Sequence, residues 1–176
     1  MTDPLPRSAG PVVLRRLAPS DLAAFQAYRQ DAGLARYQGW VATPDEEALG
    51  FLGQMQGARL LQPGVWCQIG IAEADTDVLI GDMGLLLSSD ATQAEVGFTL
   101  RRASHGRGLA TAAVREAIAL IFEHTPARRV TAAADARNAA SIRLLERVGM
   151  RLLEMRDVEA LGGGYAECVH AVDRAD

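Results

Sequence analysis

Arg101, Arg102, Gly106, Arg107 and Gly108 crowd into one short stretch, and an apolar run at helical spacing follows at once through Leu109, Ala113, Ala117 and Ile121. The chemistry open to such a group is anion binding. A helix start carries unpaired N–H groups and a partial positive charge. Glycines before it let backbone approach a ligand closely, and the arginines add charge. Phosphate or pyrophosphate is the matching ligand. A tight strand-to-helix turn with solvated arginines would use the same residues. Two common phosphate loops do not fit. Gly108 is followed by Leu109 and Ala110 rather than by the Lys-Ser/Thr of a P-loop. Thr111 takes the place of the third small residue of a dinucleotide fingerprint, and no run of alternating strands and helices surrounds it.

Other reactive side chains are scattered. His105, His124 and His170 share no neighbourhood in the chain, and no Cys/His cluster has metal-ligand spacing, so no metal is expected. Cys67 and Cys168 lie in strand-like apolar stretches and read as buried free thiols. Tyr37 and Trp40 stand in the irregular Arg36-Tyr-Gln-Gly-Trp40 segment. They can wall a substrate pocket or plug the rim of the core.

The elements around the loop follow from periodicity. Val96, Phe98 and Leu100 alternate with Glu95, Gly97 and Thr99, the period of a strand. Two further strands, 64–72 and 78–87, precede it as a meander, and 12–17 forms a first strand. Pro19-Ser-Asp-Leu22 opens a helix with Ser20 as its cap, and Thr43-Pro-Asp-Glu46 reads as a capping box for another. Residues 129–134 form a strand reached across the long helix, hence parallel to the strand of Glu95. Asn138 caps a helix ended by Gly149, and strands 150–158 and 165–172 finish the chain. The expected fold is α/β (α+β) in one domain: a mixed, mostly antiparallel sheet of six to seven strands with helices on both faces. Residues 1–10 read as a flexible N-terminal tail and 11–173 as the folded domain.

Composition sets the frame. A chain of 176 residues suits one domain with a proper core. Its net charge of −4 speaks against a dedicated nucleic-acid binder. The polar, Pro-containing start does not read as a signal peptide, no apolar run reaches membrane-spanning length, and a cytoplasmic setting is expected.

His105-Gly-Arg-Gly-Leu-Ala110 resembles the Gln/Arg-x-x-Gly-x-Gly/Ala pyrophosphate loop of the GCN5-related N-acetyltransferases, with His105 departing from the first position. Asn138-Ala-Ala-Ser141, continuing to Gly149-Met150, is similar to the family's Asn-x-x-Ser…Gly-Phe signature. Ala94-Glu-Val-Gly-Phe98 resembles the Glu-Ile-Gly-Tyr strand of the ribosomal-protein N-acetyltransferase branch. The set runs in the family's order over residues 11–173.

The resemblance implies transfer of acetyl from acetyl-CoA, as co-substrate, to a primary amine by direct attack on the thioester. It places the pyrophosphate on His105, Gly106, Arg107, Gly108, Leu109, Ala110 and Thr111, and the pantetheine arm along the backbone of Phe98, Thr99 and Leu100. Glu95 becomes the candidate base or proton relay, for an ammonium with a pKa of ~10.4 must lose its proton first; it can equally be a surface-strand glutamate. Ser141 becomes the candidate donor to the leaving thiolate, though a serine in a first helical turn also bonds backbone locally. The tyrosine acid of many relatives is replaced by Leu145. Asn138 is implied as an arm partner besides its capping role, and Arg143 as a phosphate ligand or a solvated arginine. The branch resemblance favours a protein or peptide N-terminal amine as acceptor and raises Tyr37 and Trp40 as pocket walls. Small-molecule amines, including aminoglycosides and polyamines, and a non-catalytic acyl-CoA-binding module stay open, as does a homodimer.

Overall fold

The computed structural model describes residues 3–38, 40–159 and 163–175. The strands are β1 (Arg7–Ala9), β2 (Val12–Arg15), β3 (Trp66–Glu73), β4 (Leu79–Leu87), β5 (Gln93–Leu100), β6 (Arg129–Asp135), β7 (Arg151–Val158) and β8 (Tyr165–Asp173). The helices are α1 (Leu22–Arg29), α2 (Ala32–Ala35), α3 (Asp45–Gly57), α4 (Leu109–His124) and α5 (Ala139–Arg147). One eight-stranded sheet runs in the order β1-β2-β3-β4-β5-β6-β8-β7. Every neighbouring pair is antiparallel except β5 and β6, which α4 joins as a crossover.

The strand beyond the expected six to seven is β1. Residues 7–9, read from sequence as part of a flexible tail, pair with Val12–Leu14. Three residues carry no periodicity to betray a strand. What holds them is distant in sequence: Arg7 donates to Glu116 and Glu123 on α4 at 2.6 Å each.

Both faces of the sheet are covered over its central strands, while the edge strand β7 is exposed. Val96 and Leu100 of β5, Met83 and Leu85 of β4, and Ile69 and Ile71 of β3 pack with Leu109, Ala113, Val114, Ala117 and Ile121 of α4, and with Leu145 of α5. On the other face Phe25 and Tyr28 of α1 and Ala48, Leu52 and Met55 of α3 pack with Leu17 and Leu79.

Two helix starts differ from expectation. Asp21, not Ser20, makes the turn before α1, its carboxylate accepting from Ala18 N at 2.9 Å. Thr43 does not cap α3, which begins at Asp45. Pro44 takes the cap position, and the Gln26 amide of α1 donates to Thr43 O at 2.7 Å and to Asp45 Oδ1 at 2.9 Å. Asp45, Glu46 and Glu47 in the first turn complement the helix dipole instead.

Candidate functional site: a split sheet facing a helix start

The parallel pairing of β5 and β6 lasts only from Gln93↔Arg129 to Glu95↔Thr131. Strand β5 stays paired with β4 up to Leu100, and β6 with β8 up to Asp135. The two strands therefore part beyond Glu95, and each turns an unpaired backbone edge to the gap. Such an edge needs partners, and an extended amide chain can supply them.

A cleft of about 590 Å³ opens at this split. Phe98, Thr99 and Leu100 wall one side, the start of α4 another, and α5 a third. At the start of α4, Gly106 has φ +73° and Gly108 φ +74°, the left-handed region that glycine occupies without strain. The first helical bond of α4 runs from Ala112 N to Gly108 O. The amides of Leu109, Ala110 and Thr111 precede it and are left for a ligand.

The loop is stiffened from behind. His105 Nε2 lies 2.7 Å from Leu100 O, which can only accept, so this nitrogen carries a proton. Arg101 Nε donates to the buried Ser104 Oγ at 2.9 Å. Arg101 and Arg107 both reach Glu73 Oε1, at 3.4 and 3.3 Å.

Helix α5 brings its own face. Asn138 Oδ1 accepts from Ser141 N at 3.2 Å, the cap that the sequence implied. Ala140, Arg143, Leu144 and Arg147, spaced as one helical stripe, line the cleft with Ser141. Ser141 also lines a smaller recess with Tyr37, Gly97, Phe98, Ala133 and Asp135, which continues the cleft into the gap between β5 and β6.

Glu95 sits at the closed end of the gap, half-buried on the face opposite Val96. Burial pushes its carboxyl above the usual carboxylate range; Arg156 opposes this and Glu167 adds to it. Arg156 donates to Glu167 at 2.7 Å. Asp135, at the open end of β6, is held below the ordinary range mainly by Arg137, at 2.6 and 2.9 Å.

The structure thus gathers Phe98, Thr99, Leu100, His105, Gly106, Gly108, Leu109, Ala110, Thr111, Asn138, Ser141, Arg143 and Tyr37 around one cleft. Three sequence candidates stand outside its lining. Glu95 lies at the apex, Arg107 turns to Glu73, and Trp40 stacks on Arg29, 4.9 Å from guanidinium carbon to ring centroid. Lining residues that sequence reasoning missed include Gly33, Gln38 and Arg147. Arg147 was findable, four residues beyond Arg143 on the same helical face; Gly33 and Gln38 arrive by tertiary packing and left no local signal.

Comparison with known proteins finds relatives of the chain and of its fold. Residues 12–151 match the acetyltransferase (GNAT) domain family. A Bacillus subtilis (strain 168) protein described as a probable N-acetyltransferase, YjcK, is 34% identical over 82 residues, 46% of this chain; the matched stretch is 45% of that protein, so less than half of the curated relative is spanned. The microcin C7 self-immunity acetyltransferase MccE, solved with acetyl-CoA and AMP, superposes with a TM-score of 0.84 at 15% identity, over 98% of both chains. A Salmonella typhimurium acetyltransferase that modifies the N-terminal serine of ribosomal protein L7/L12 superposes with a TM-score of 0.79 at 19% identity, over 96% of this chain and 98% of that one.

Proposed function

The chain belongs to the acetyltransferase (GNAT) domain family, and on that premise we propose that it binds acetyl-CoA in the cleft between β5 and β6 and transfers the acetyl group to a primary amine. The observation that carries this reading is the split itself, an unpaired β5 edge leading straight to the glycine-shaped start of α4. The cleft suits the coenzyme. Backbone amides before Ala112 meet pyrophosphate, Arg143 and Arg147 meet the nucleotide's phosphates, and the β5 edge at Phe98–Leu100, which no strand pairs, meets the arm's amides.

When bound, acetyl-CoA supplies a thioester carbonyl that a free amine attacks directly, with the thiolate leaving. The protein's part is to orient, desolvate and move protons. Glu95 takes the amine's proton, directly or through water, and its raised pKa makes it a better base than an exposed carboxylate. Ser141 donates a hydrogen bond toward the departing sulfur, since Leu145 cannot. Asn138 holds the helix start that presents Ser141 and offers its amide to the arm. Tyr37 walls the acceptor side of the recess.

The acceptor we propose is the N-terminal amine of a protein or peptide, as for the ribosomal-protein branch. The Ala94-Glu-Val-Gly-Phe98 strand and the Salmonella enzyme's action on an N-terminal serine support it. Thermal unfolding with and without acetyl-CoA tests the cofactor, with NAD and ATP as controls. At 100 times the dissociation constant the coenzyme adds ~2.7 kcal/mol, a rise of roughly 5–10 °C for a domain of this size. Equal shifts with ATP reduce the site to a generic phosphate loop. A panel of N-terminal peptides against polyamines and aminoglycosides then tests the acceptor, and turnover confined to the small amines overturns the peptide assignment.

A further inference from the structure

Two contacts pin the segment from Asp31 to Gln38 across the mouth of the cleft, one at each end. At the first, Arg102 grips Asp31 with two bonds, Nε to Oδ2 at 2.8 Å and Nη2 to Oδ1 at 2.7 Å. The same Oδ1 caps α2 by accepting from Gly33 N at 2.9 Å and Leu34 N at 3.3 Å. At the second, Gln38 Nε2 donates to Phe98 O at 3.2 Å. Between the pins, Gly33, Leu34 and Tyr37 line the cleft. The guanidinium lies so close that any Cβ at Gly33 would overlap Arg102 Nη2.

A helix of four residues does not hold itself in place. Leu34 packs on the α1–α3 core cluster, and the two pins fix the rest. Both pins engage groups that a coenzyme in this cleft would want. Phe98 O lies on the β5 edge freed by the split, where an arm amide N–H would donate. Arg102 is a cation at the mouth of an anion-binding loop, and Asp31 already neutralises it.

We propose that Asp31–Gln38 is a strap that the coenzyme displaces, with Gln38 standing in for the arm's amide on Phe98 O and Asp31 standing in for a phosphate beside Arg102. This rests on reading the cleft as the acetyl-CoA site. Filling the cleft then releases Tyr37, which lies on the strap and walls the acceptor recess. The closed strap also lowers the observed association rate by the fraction of molecules in which it is open.

The test is stopped-flow binding of acetyl-CoA to the full chain, wild type against Gln38→Ala and Asp31→Asn, at 0.5 M salt. High salt suppresses the steering that Asp31→Asn would otherwise add by removing a negative charge. Gln38→Ala removes one pin without changing charge. Its expected effect is an association rate about 3–10-fold faster, the equilibrium weight of one net hydrogen bond, with dissociation little changed. Asp31→Asn is expected to move in the same direction by less, since that pair is exposed to solvent. Association at the wild-type rate or slower in Gln38→Ala overturns the strap while leaving the cofactor assignment standing. No binding of acetyl-CoA by the wild type overturns the cofactor assignment, and the strap with it.

Discussion

Glu95 and Thr131 are the last residues in register between β5 and β6, and the sheet opens immediately beyond them. The carboxylate thus sits where the gap begins, half-buried, two residues before Gly97 of the recess in which, on the proposed reading, an amine meets the thioester.

Glu95→Gln should lower turnover by about 10²-fold, the low end for loss of a positioned base. The loss should shrink at high pH, where free amine is plentiful. A base works only when deprotonated, and burial raises the Glu95 pKa. Wild-type kcat should therefore fall on the acid side at a pH above the ordinary carboxylate range, and the variant should lack that limb. Stability should move oppositely. A carboxyl with a raised folded pKa disfavours the fold as pH climbs through that pKa, so the amide should not lower Tm at pH 7. A pH–rate profile identical in shape for both proteins would remove Glu95 from proton transfer.

Gly108→Trp should abolish acetyl-CoA binding while leaving the protein folded. A Cβ at this position meets nothing within 4 Å, so no clash arises in the core. The left-handed φ of +74° does cost the variant ~1–2 kcal/mol, a Tm drop of roughly 2–8 °C. The indole would cover the amides at the start of α4. Calorimetric titration checks it; unchanged affinity would move the phosphate site elsewhere.

What was legible in the chain and what was not divide along one physical line. Features specified by neighbouring residues could be read: alternation in β5, the glycines before α4, the Asn138 cap and the parallel crossover to β6. Features specified by remote partners could not. Arg7–Ala9 become a strand because Arg7 finds α4. Thr43 loses its capping role because α3 begins one residue later, with Pro44 in the cap position. Trp40 read as a candidate wall of the substrate pocket, but it stacks on Arg29 outside the cleft lining because a cation waits there. Glu95's alternation predicted its face, whereas its place at the end of the β5–β6 pairing depends on where two strands part.

Arg143 and Arg147 have no carboxylate in ion-pairing distance among the described residues, although both line the cleft. Arg143→Ala and Arg147→Ala should each weaken acetyl-CoA binding up to about fivefold at low ionic strength, as fits single exposed charges. The loss should fade by 0.5 M salt, where the Debye length is only a few ångströms. Dephospho-coenzyme analogues that lack the ribose phosphate should bind both variants and the wild type more nearly alike. Salt-independent losses would mean that the side chains act through packing.

Asp82 holds together the other face of the sheet. It is 1% exposed and accepts from the Tyr28 hydroxyl, from Arg29 Nη2 at 2.9 and 3.0 Å, and from Gln68 Nε2 at 2.7 Å. Burial and Asp82 push the Tyr28 phenol well above its usual range, so it remains a neutral donor. Arg29 in turn lies under Trp40 and beside Phe25, at 4.9 and 4.7 Å. Removing the carboxylate strands a guanidinium that is 14% exposed among aromatic rings. Asp82→Ala should cost about 3–5 kcal/mol, whereas Gln68→Ala, which removes one neutral donor, should cost about 1 kcal/mol. Urea unfolding measures both. Because Asp82 lies outside the cleft, acetyl-CoA should still raise the Tm of the destabilised variant. A loss near 1 kcal/mol for Asp82→Ala would show that Arg29 finds solvent on its own, and that the cluster is a surface ion pair rather than a buried hub.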